Sequence, residues 1–258
     1  TLTVANIATE IIMIDINGEK AIGEAIDIRQ GTPYTGSCYI YAGDYSDAVD
    51  SNIVIITSGV ARKPGQTRLE LAQTNVDILK SIIPQITKYA PDATYIIVSN
   101  PVDILTYTFC KCSGIPEERI IGSGTILDTA RLRCGLSEHY SIAQKNIHAY
   151  VFGEHGDTSF IPWSIANVCG VPADEYVELV KNIDKDVKEV DKEAMITYVR
   201  KSGGQVIANK GATFYAVSAS VCALCAILAA SDESMATVSS TMHGEYGISD
   251  VALSTLTL

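Results

Sequence analysis

Ile53-Val54-Ile55-Ile56-Thr57-Ser58-Gly59 is a run of aliphatic residues with no polar alternation that stops on small turn-forming residues. A strand wet on one face alternates apolar and polar side chains. An unbroken run is buried on both faces, as in a parallel sheet. Four similar runs surround it: Glu10–Asp15 (EIIMID), Cys38–Ala42 (CYIYA), Thr94–Ser99 (TYIIVS) and Arg119–Gly122 (RIIG). Gln66–Tyr89 has the helical period, with Leu69, Ala72, Val76, Leu79, Ile83 and Ile86 on one stripe. Strands alternating with helices predict a doubly wound α/β domain.

Beyond Ser123 the texture changes. Asp128–Leu136 reads as a helix and Asn146–Phe152 as a strand. Asp174–Lys201 reads as a long charged helix broken near Asp191, and the pair Gly203-Gly204 as the approach to another helix. That next segment, Gly211–Ala230, is uncharged and rich in Ala, Ser and Cys. Small residues pack closely but transfer weakly into lipid, so a buried helix is expected rather than a membrane span. The expected division is a domain over 1–122 and a second over 123–258.

Composition sets outer limits. Of 258 residues, 47% are hydrophobic and 19% charged, as in ordinary globular chains. The net charge of −11 argues against binding a nucleic-acid backbone. Cysteines 38, 110, 112, 134, 169, 222 and 225 follow no disulfide framework, and their close pairs lack the partners of a zinc site. Buried free thiols in a reducing compartment are expected.

Four stretches carry chemistry. Gly153-Glu154-His155-Gly156-Asp157-Thr158 places an imidazole at a tight turn after the apolar run Ala149–Phe152. Histidine exchanges protons near neutral pH. In Leu127-Asp128-Thr129-Ala130-Arg131-Leu132-Arg133, Asp128 and Arg131 share a helical face. Arg133 lies roughly 140° around from Asp128 and serves another surface. Ala61-Arg62-Lys63-Pro64-Gly65-Gln66-Thr67-Arg68 is a basic turn at a strand's carboxyl end, where open α/β sheets bind ligands. Ser99-Asn100-Pro101-Val102-Asp103 follows the next strand. Taken singly, each stretch also reads as a solvated loop, a surface ion pair or a plain turn.

Together, in this order and spacing, they make the whole chain resemble the NAD-dependent L-lactate/malate dehydrogenases. The resemblance implies a Rossmann-type sheet followed by an α+β catalytic domain. It implies that His155 exchanges the proton of the substrate oxygen, with Asp128 fixing its tautomer. Arg131 is implied to clamp the substrate carboxylate with a two-pronged fork. Arg68 is implied to polarise the carbonyl, Asn100 to hydrogen-bond the substrate oxygen, and Thr213 to line the pocket. For the cofactor, Asp15 suits ribose hydroxyls and repels a 2′-phosphate, so NAD is expected over NADP. Lys20, Tyr45, Gly59, Val60, Ser81, Val98, Ser99, Asn100 and Ser123 fall at the family's cofactor positions. Arg133 and His148 match its fructose 1,6-bisphosphate site, which implies a homotetramer. A cytoplasmic location, with no nucleic acid or membrane as partner, is also implied.

The substrate is divided between two signals. Arg62 resembles the malate-type residue that pairs with the second carboxylate of oxaloacetate, whereas Thr213 resembles the lactate type. The balance implies pyruvate and L-lactate as substrates. Malate dehydrogenase activity is the alternative, and an inactive binding homologue a remote one. The family opens with a strand and a G-x-G-x-x-G loop, and closes with a final strand and helix. Neither end is present, so the second and fourth strands of the family order are expected to lose a neighbour. The residues given are expected to be unstable and inactive by themselves.

Overall fold

The computed structural model describes residues 1–60, 68–181, 187–230 and 233–258, Arg68 by its backbone alone. In chain order its elements are α1 (Leu2–Ala5), β1 (Glu10–Met13), α2 (Gly18–Gln30), β2 (Tyr39–Ala42), β3 (Ile53–Ile56), α3 (Arg68–Tyr89), β4 (Thr94–Ile97), α4 (Val102–Ser113) and β5 (Ile120–Gly122). There follow α5 (Ile126–Tyr140), β6 (Ile147–His148), β7 (Asn167–Val168), β8 (Val171–Pro172), α6 (Ala173–Lys181), α7 (Lys192–Lys210), α8 (Tyr215–Ala229), β9 (Ala236–His243) and β10 (Ser249–Thr257).

Two compact units result. The first comprises Thr1–Ser123, Val221–Ser234 and Ser240–Ala252. The second comprises Gly124–Ser220, Met235–Ser239 and Leu253–Leu258.

In the first unit the parallel strands form two separate pieces. β1 pairs with β2, Ile11 opposite Ile40. β3 pairs with β4 and β4 with β5, Ile55 opposite Ile96 and Ile96 opposite Ile121. β9 and β10 continue the second piece in the order β10-β9-β5-β4-β3. Among the described residues nothing pairs β1 with β3, so each lacks a neighbour on one side, as the sequence predicts. Burial follows pairing. Tyr95, Ile96 and Ile97 of central β4 are wholly buried, while β1 is only half-buried, contrary to the expectation of burial on both faces. Tyr95 donates from its hydroxyl to the Ala90 carbonyl at 2.8 Å, and burial pushes that hydroxyl up to about 12. Leu79, Ile83 and Ile86 of α3 and Leu105 and Phe109 of α4 complete this core.

Several expectations need correction. Leu69, placed on the buried stripe of α3, is 80% exposed. The start of that helix at Gln66 lies outside the described residues. The break near Asp191 is real. Asp191 caps α7, accepting from the Ala194 amide at 2.9 Å. Gly203 and Gly204, however, lie inside α7 rather than beyond a helix. α8 is buried only over Ser220–Cys222 and Leu224–Cys225, the middle of the helix, and not along its length. Among the described residues no helix is long and apolar enough to cross a membrane. All seven cysteines are free, as expected, but only Cys222 and Cys225 are buried.

The second unit packs Leu132, Leu136 and Tyr140 of α5 against Val151, Val168, Val177, Ile196 and Val199. Its expected strand over Asn146–Phe152 is reduced to β6, with Phe152 and Gly153 in isolated bridges.

Candidate active site

The second unit builds its site on the first turn of α5. Gly124, at φ +49, precedes that helix where a Cβ would stand 2.6 Å from the Ser239 amide nitrogen, so only glycine fits. Thr125, Asp128 and Thr129 then fall at i, i+3 and i+4, on one face, and all three are buried. The Thr125 hydroxyl donates to the Val151 carbonyl at 2.5 Å. The Thr129 hydroxyl accepts from the Val151 amide at 3.0 Å. The cap residue and a first-turn threonine of one helix thus satisfy both backbone polar groups of one buried residue, Val151.

That grip continues along the chain. Arg133 donates from Nε to the Ala149 carbonyl at 3.1 Å and stacks its guanidinium 5.0 Å from the centre of the Tyr150 ring. Phe152 and Phe160 exchange backbone bonds of 2.9 and 3.0 Å, which closes residues 153–159 into a narrow loop. Gly153, at φ +91, turns the chain while exchanging bonds with Ser254. Inside the loop the Thr158 hydroxyl donates to Glu154 Oε2 at 2.6 Å. Arg200 of α7 donates to the Ser159 carbonyl through Nε and a terminal nitrogen. His155 is therefore presented by a loop fixed at both ends.

His155 Nδ1 lies 2.6 Å from Asp128 Oδ2, and an Arg131 terminal nitrogen lies 2.7 Å from Oδ1 of the same carboxylate. Side-chain exposure is 7% for Asp128, 16% for Arg131 and 25% for His155. Asp128–Arg131 is therefore not an exposed helix pair of negligible value. Burial pushes the Asp128 carboxyl up. The His155 hydrogen bond and charge, together with Arg131, outweigh burial and hold it below the ordinary aspartate value. An ionised carboxylate accepting from Nδ1 puts the ring's exchangeable proton chemistry on Nε2.

Arg131 also lines a cleft of about 680 Å³ between α5 and α7. Thr213, just past the end of α7, lines the same cleft, so these two expected substrate residues come together.

In the first unit, the expected cofactor residues gather near the carboxyl ends of the parallel strands. Asp15 follows β1, is exposed, and accepts from the Asn17 amide at 2.8 Å through Oδ1. Lys20 is exposed in the first turn of α2. Tyr45 follows β2 and packs against the core, and burial pushes its hydroxyl up. Gly59 and Val60 follow β3, Val98, Ser99 and Asn100 follow β4, and Ser123 follows β5. Ser81 stands apart, within α3, bonded to the Ile78 carbonyl.

One residue the sequence did not single out ties these loops together. Buried Asn75 of α3 accepts from the Val60 amide at 2.9 Å. It donates to the Val60 carbonyl at 3.3 Å and the Asn100 carbonyl at 2.7 Å. Ser99 adds a 2.6 Å bond to the Ser58 carbonyl. Asn100 Oδ1 accepts from the Val102 amide at 3.4 Å, and the Asn100–Pro101 peptide is cis. Acidic Asp15 and the exposed strand ends fit a ribose-bearing dinucleotide. Arg62 and the Arg68 side chain lie outside the described residues. His148 is exposed in β6, opposite Asn167.

Residues 1–122 match the family described as lactate/malate dehydrogenase, NAD binding domain. Residues 125–257 match the lactate/malate dehydrogenase alpha/beta C-terminal domain. An L-lactate dehydrogenase of Acetivibrio thermocellus is 43% identical over 258 residues, covering 100% of this chain and 80% of the relative. One of Thermoanaerobacter is 46% identical over 255 residues, covering 98% and 81%. The crystal structure of the minor L-lactate dehydrogenase of Enterococcus mundtii superposes with a TM-score of 0.93 at 34% identity, covering 100% of this chain and 81% of that one. A lactate dehydrogenase from a deep-sea metagenome library gives 0.91 at 34% identity and the same coverage. The fold and these likenesses define an NAD-dependent oxidoreductase. The chain belongs to the lactate/malate dehydrogenase family.

Proposed function

We propose that the protein reduces pyruvate to L-lactate and runs the reaction in reverse, through His155, Asp128 and Arg131. The carrying observation is one buried carboxylate shared between an imidazole and a guanidinium, at 2.6 and 2.7 Å. The cofactor, when bound, would supply the redox chemistry: NADH would give a hydride to C2 of the 2-oxo acid, and NAD+ would take it from C2 of the 2-hydroxy acid. Arg131 holds the substrate carboxylate. His155 delivers a proton from Nε2 to the keto oxygen, and Asp128 stabilises the imidazolium that supplies it. In lactate oxidation the same nitrogen removes the hydroxyl proton. Arg68 stabilises the charge developing on that oxygen, Asn100 donates to it, and Thr213 closes the pocket wall.

Residues 1–122 serve in this reading as the cofactor domain and 123–258 as the catalytic domain. Asp15 takes the adenosine ribose. Lys20, Tyr45, Gly59, Val60, Ser81, Val98, Ser99, Asn100 and Ser123 line the rest of the NAD path. Fructose 1,6-bisphosphate activates a homotetramer through Arg133 and His148. Arg133 uses Nε for the Ala149 carbonyl, and its two terminal nitrogens are the ones a phosphate would take. The free cysteines suit the reducing cytoplasm.

Arg62 favours the second reading, malate dehydrogenase, because it adds charge for a second carboxylate. The deciding experiment is kcat/KM for pyruvate and oxaloacetate on the full-length protein, with and without the bisphosphate. Pyruvate is the expected better substrate. A preference for oxaloacetate of about a hundredfold, the scale of one well-placed charged contact, would reverse the assignment. Arg62→Gln then shifts preference toward pyruvate.

A further inference from the structure

Ser254 of β10 is remote in sequence from both Asp128 and His155, yet it touches the support of each. It is wholly buried. Its hydroxyl oxygen accepts from the Thr125 amide at 3.0 Å. Its own amide donates to the Gly153 carbonyl at 2.9 Å, and its carbonyl accepts from the Gly153 amide at 2.9 Å. Thr125 is the cap residue of α5, three positions before Asp128, and Gly153 stands two positions before His155. All of these residues belong to the second unit.

The entry of α5 is shaped around the serine oxygen. Thr125 makes no side-chain bond to its own helix, because its hydroxyl is committed to the Val151 carbonyl. Its buried amide takes Ser254 Oγ as partner instead. A Cβ at Gly124 would collide with that oxygen, so Ser254 fills the space the glycine leaves open.

The consequence is geometric. Asp128 and Arg131 ride on α5, and His155 rides on the loop that starts at Gly153. Thr125 and Thr129 join helix to loop, but both of their bonds end on one residue, Val151, and leave a rotation about it open. Ser254 closes that rotation, with its side chain on the helix and its backbone on the loop.

We infer that Ser254 is a positioning residue for proton transfer: it sets the spacing between the guanidinium that holds the substrate carboxylate and the imidazole that protonates the keto oxygen. This rests on the reaction proposed above and adds a residue that acts through Thr125 and Gly153.

The test is Ser254→Ala in the full-length protein, which removes the oxygen and keeps both backbone bonds to Gly153. The single-turnover rate of NADH oxidation at saturating pyruvate is expected to fall about tenfold, since an error of about 1 Å at the reacting atoms costs about a hundredfold. The pyruvate concentration giving half that rate should change less than about twofold, because Arg131 stays with its helix. The charged groups that meet the imidazole or share its loop, among the described residues, are Asp128 and, across the same carboxylate, Arg131, with Glu154 and Asp157. A carboxylate set farther from the imidazole supports its charge less, so the alkaline limb of kcat/KM for pyruvate should move to lower pH. Val177→Ala loosens the core of the same unit on α6 and shows what lost stability alone does; its limb should not move. Ser254→Thr keeps the oxygen and should recover most of the rate. If Ser254→Ala does not fold, Ser254→Cys, with a poorer acceptor of similar shape, is read in the same way. A loss in rate smaller than about threefold, a limb that stays in place, or a folded Ser254→Thr no faster than Ser254→Ala overturns the inference. No turnover of pyruvate by the parent protein overturns the proposed reaction first, and this inference with it.

Discussion

Two loops in this molecule are held by buried polar side chains, and they are held differently. In the first unit the ends of β3 and β4 depend on Asn75, one amide that makes three bonds to Val60 and Asn100. In the second unit the histidine loop is held by many residues, among them Thr125, Thr129, Arg133, Ser254 and Arg200. The first arrangement leans mainly on one side chain, with Ser99 adding a 2.6 Å bond to the Ser58 carbonyl. The second spreads the load, so each contact matters less to folding while their sum fixes an imidazole to within hydrogen-bond tolerance of a carboxylate. Positioning for proton transfer needs such redundancy, because small misplacements at the reacting atoms cost large factors in rate.

The comparison can be broken at several points. Asp128→Asn keeps the shape of the site and removes its charge and its tautomer control. A loss of about 10³–10⁴-fold in kcat/KM is expected, with the fold retained by circular dichroism; a loss under tenfold would mean that His155 does not depend on Asp128. Asn75→Leu strands two carbonyls and an amide in partly buried positions. It should lower unfolding free energy by about 3 kcal/mol, read from urea denaturation. Thr129→Val removes the partner of the Val151 amide and of the buried Thr237 hydroxyl, 2.9 Å away, and should cost about 2 kcal/mol, with Thr129→Ser restoring most of it. If Thr129→Val costs more than Asn75→Leu, the contrast between single and distributed support is wrong.

The smallest effect is in acid. The Asp128 carboxyl is held below its ordinary value of 3.8. A depressed carboxylate stabilises the folded state above its unfolded value and loses that contribution as pH falls through the folded one. The stability gap between the natural protein and Asp128→Asn should therefore narrow as pH drops below 3.8. A gap that stays constant from pH 5 to about pH 2, the window that this linkage spans, would show that Asp128 is not charged in the native state.

Much of this is legible in the sequence. All five parallel strands begin within a residue of the predicted runs, because unbroken Ile and Val have few other places to go. Asp128 and Arg131 were expected on one face and meet there. What escaped notice depends on tertiary neighbours. Thr125 and Thr129 look like poor helix formers until Val151 arrives between them. Asn75 lies three residues from Ala72 and four from Leu79, at the edge of the apolar stripe, yet reads as one more polar residue of α3. Leu69 fits the helical stripe, yet the stripe outruns its core by a turn. The β9–β10 pair was missed despite a usable signal: Thr- and Val-rich runs flanking Gly244-Glu245-Tyr246-Gly247.

The two-sided use of Asp128 has a consequence beyond architecture. An anion arriving on Arg131 draws on the same positive charge that now serves Oδ1, so the carboxylate turns more of its field toward His155. Proton uptake by the imidazole and anion capture by the guanidinium are thereby tied into one equilibrium. By reciprocity, whatever factor the anion adds to protonation, the proton adds to anion affinity. A neutral competitor of the same shape would not feel the difference, so the histidine's charge state acts as a gate that selects which ligand the pocket keeps.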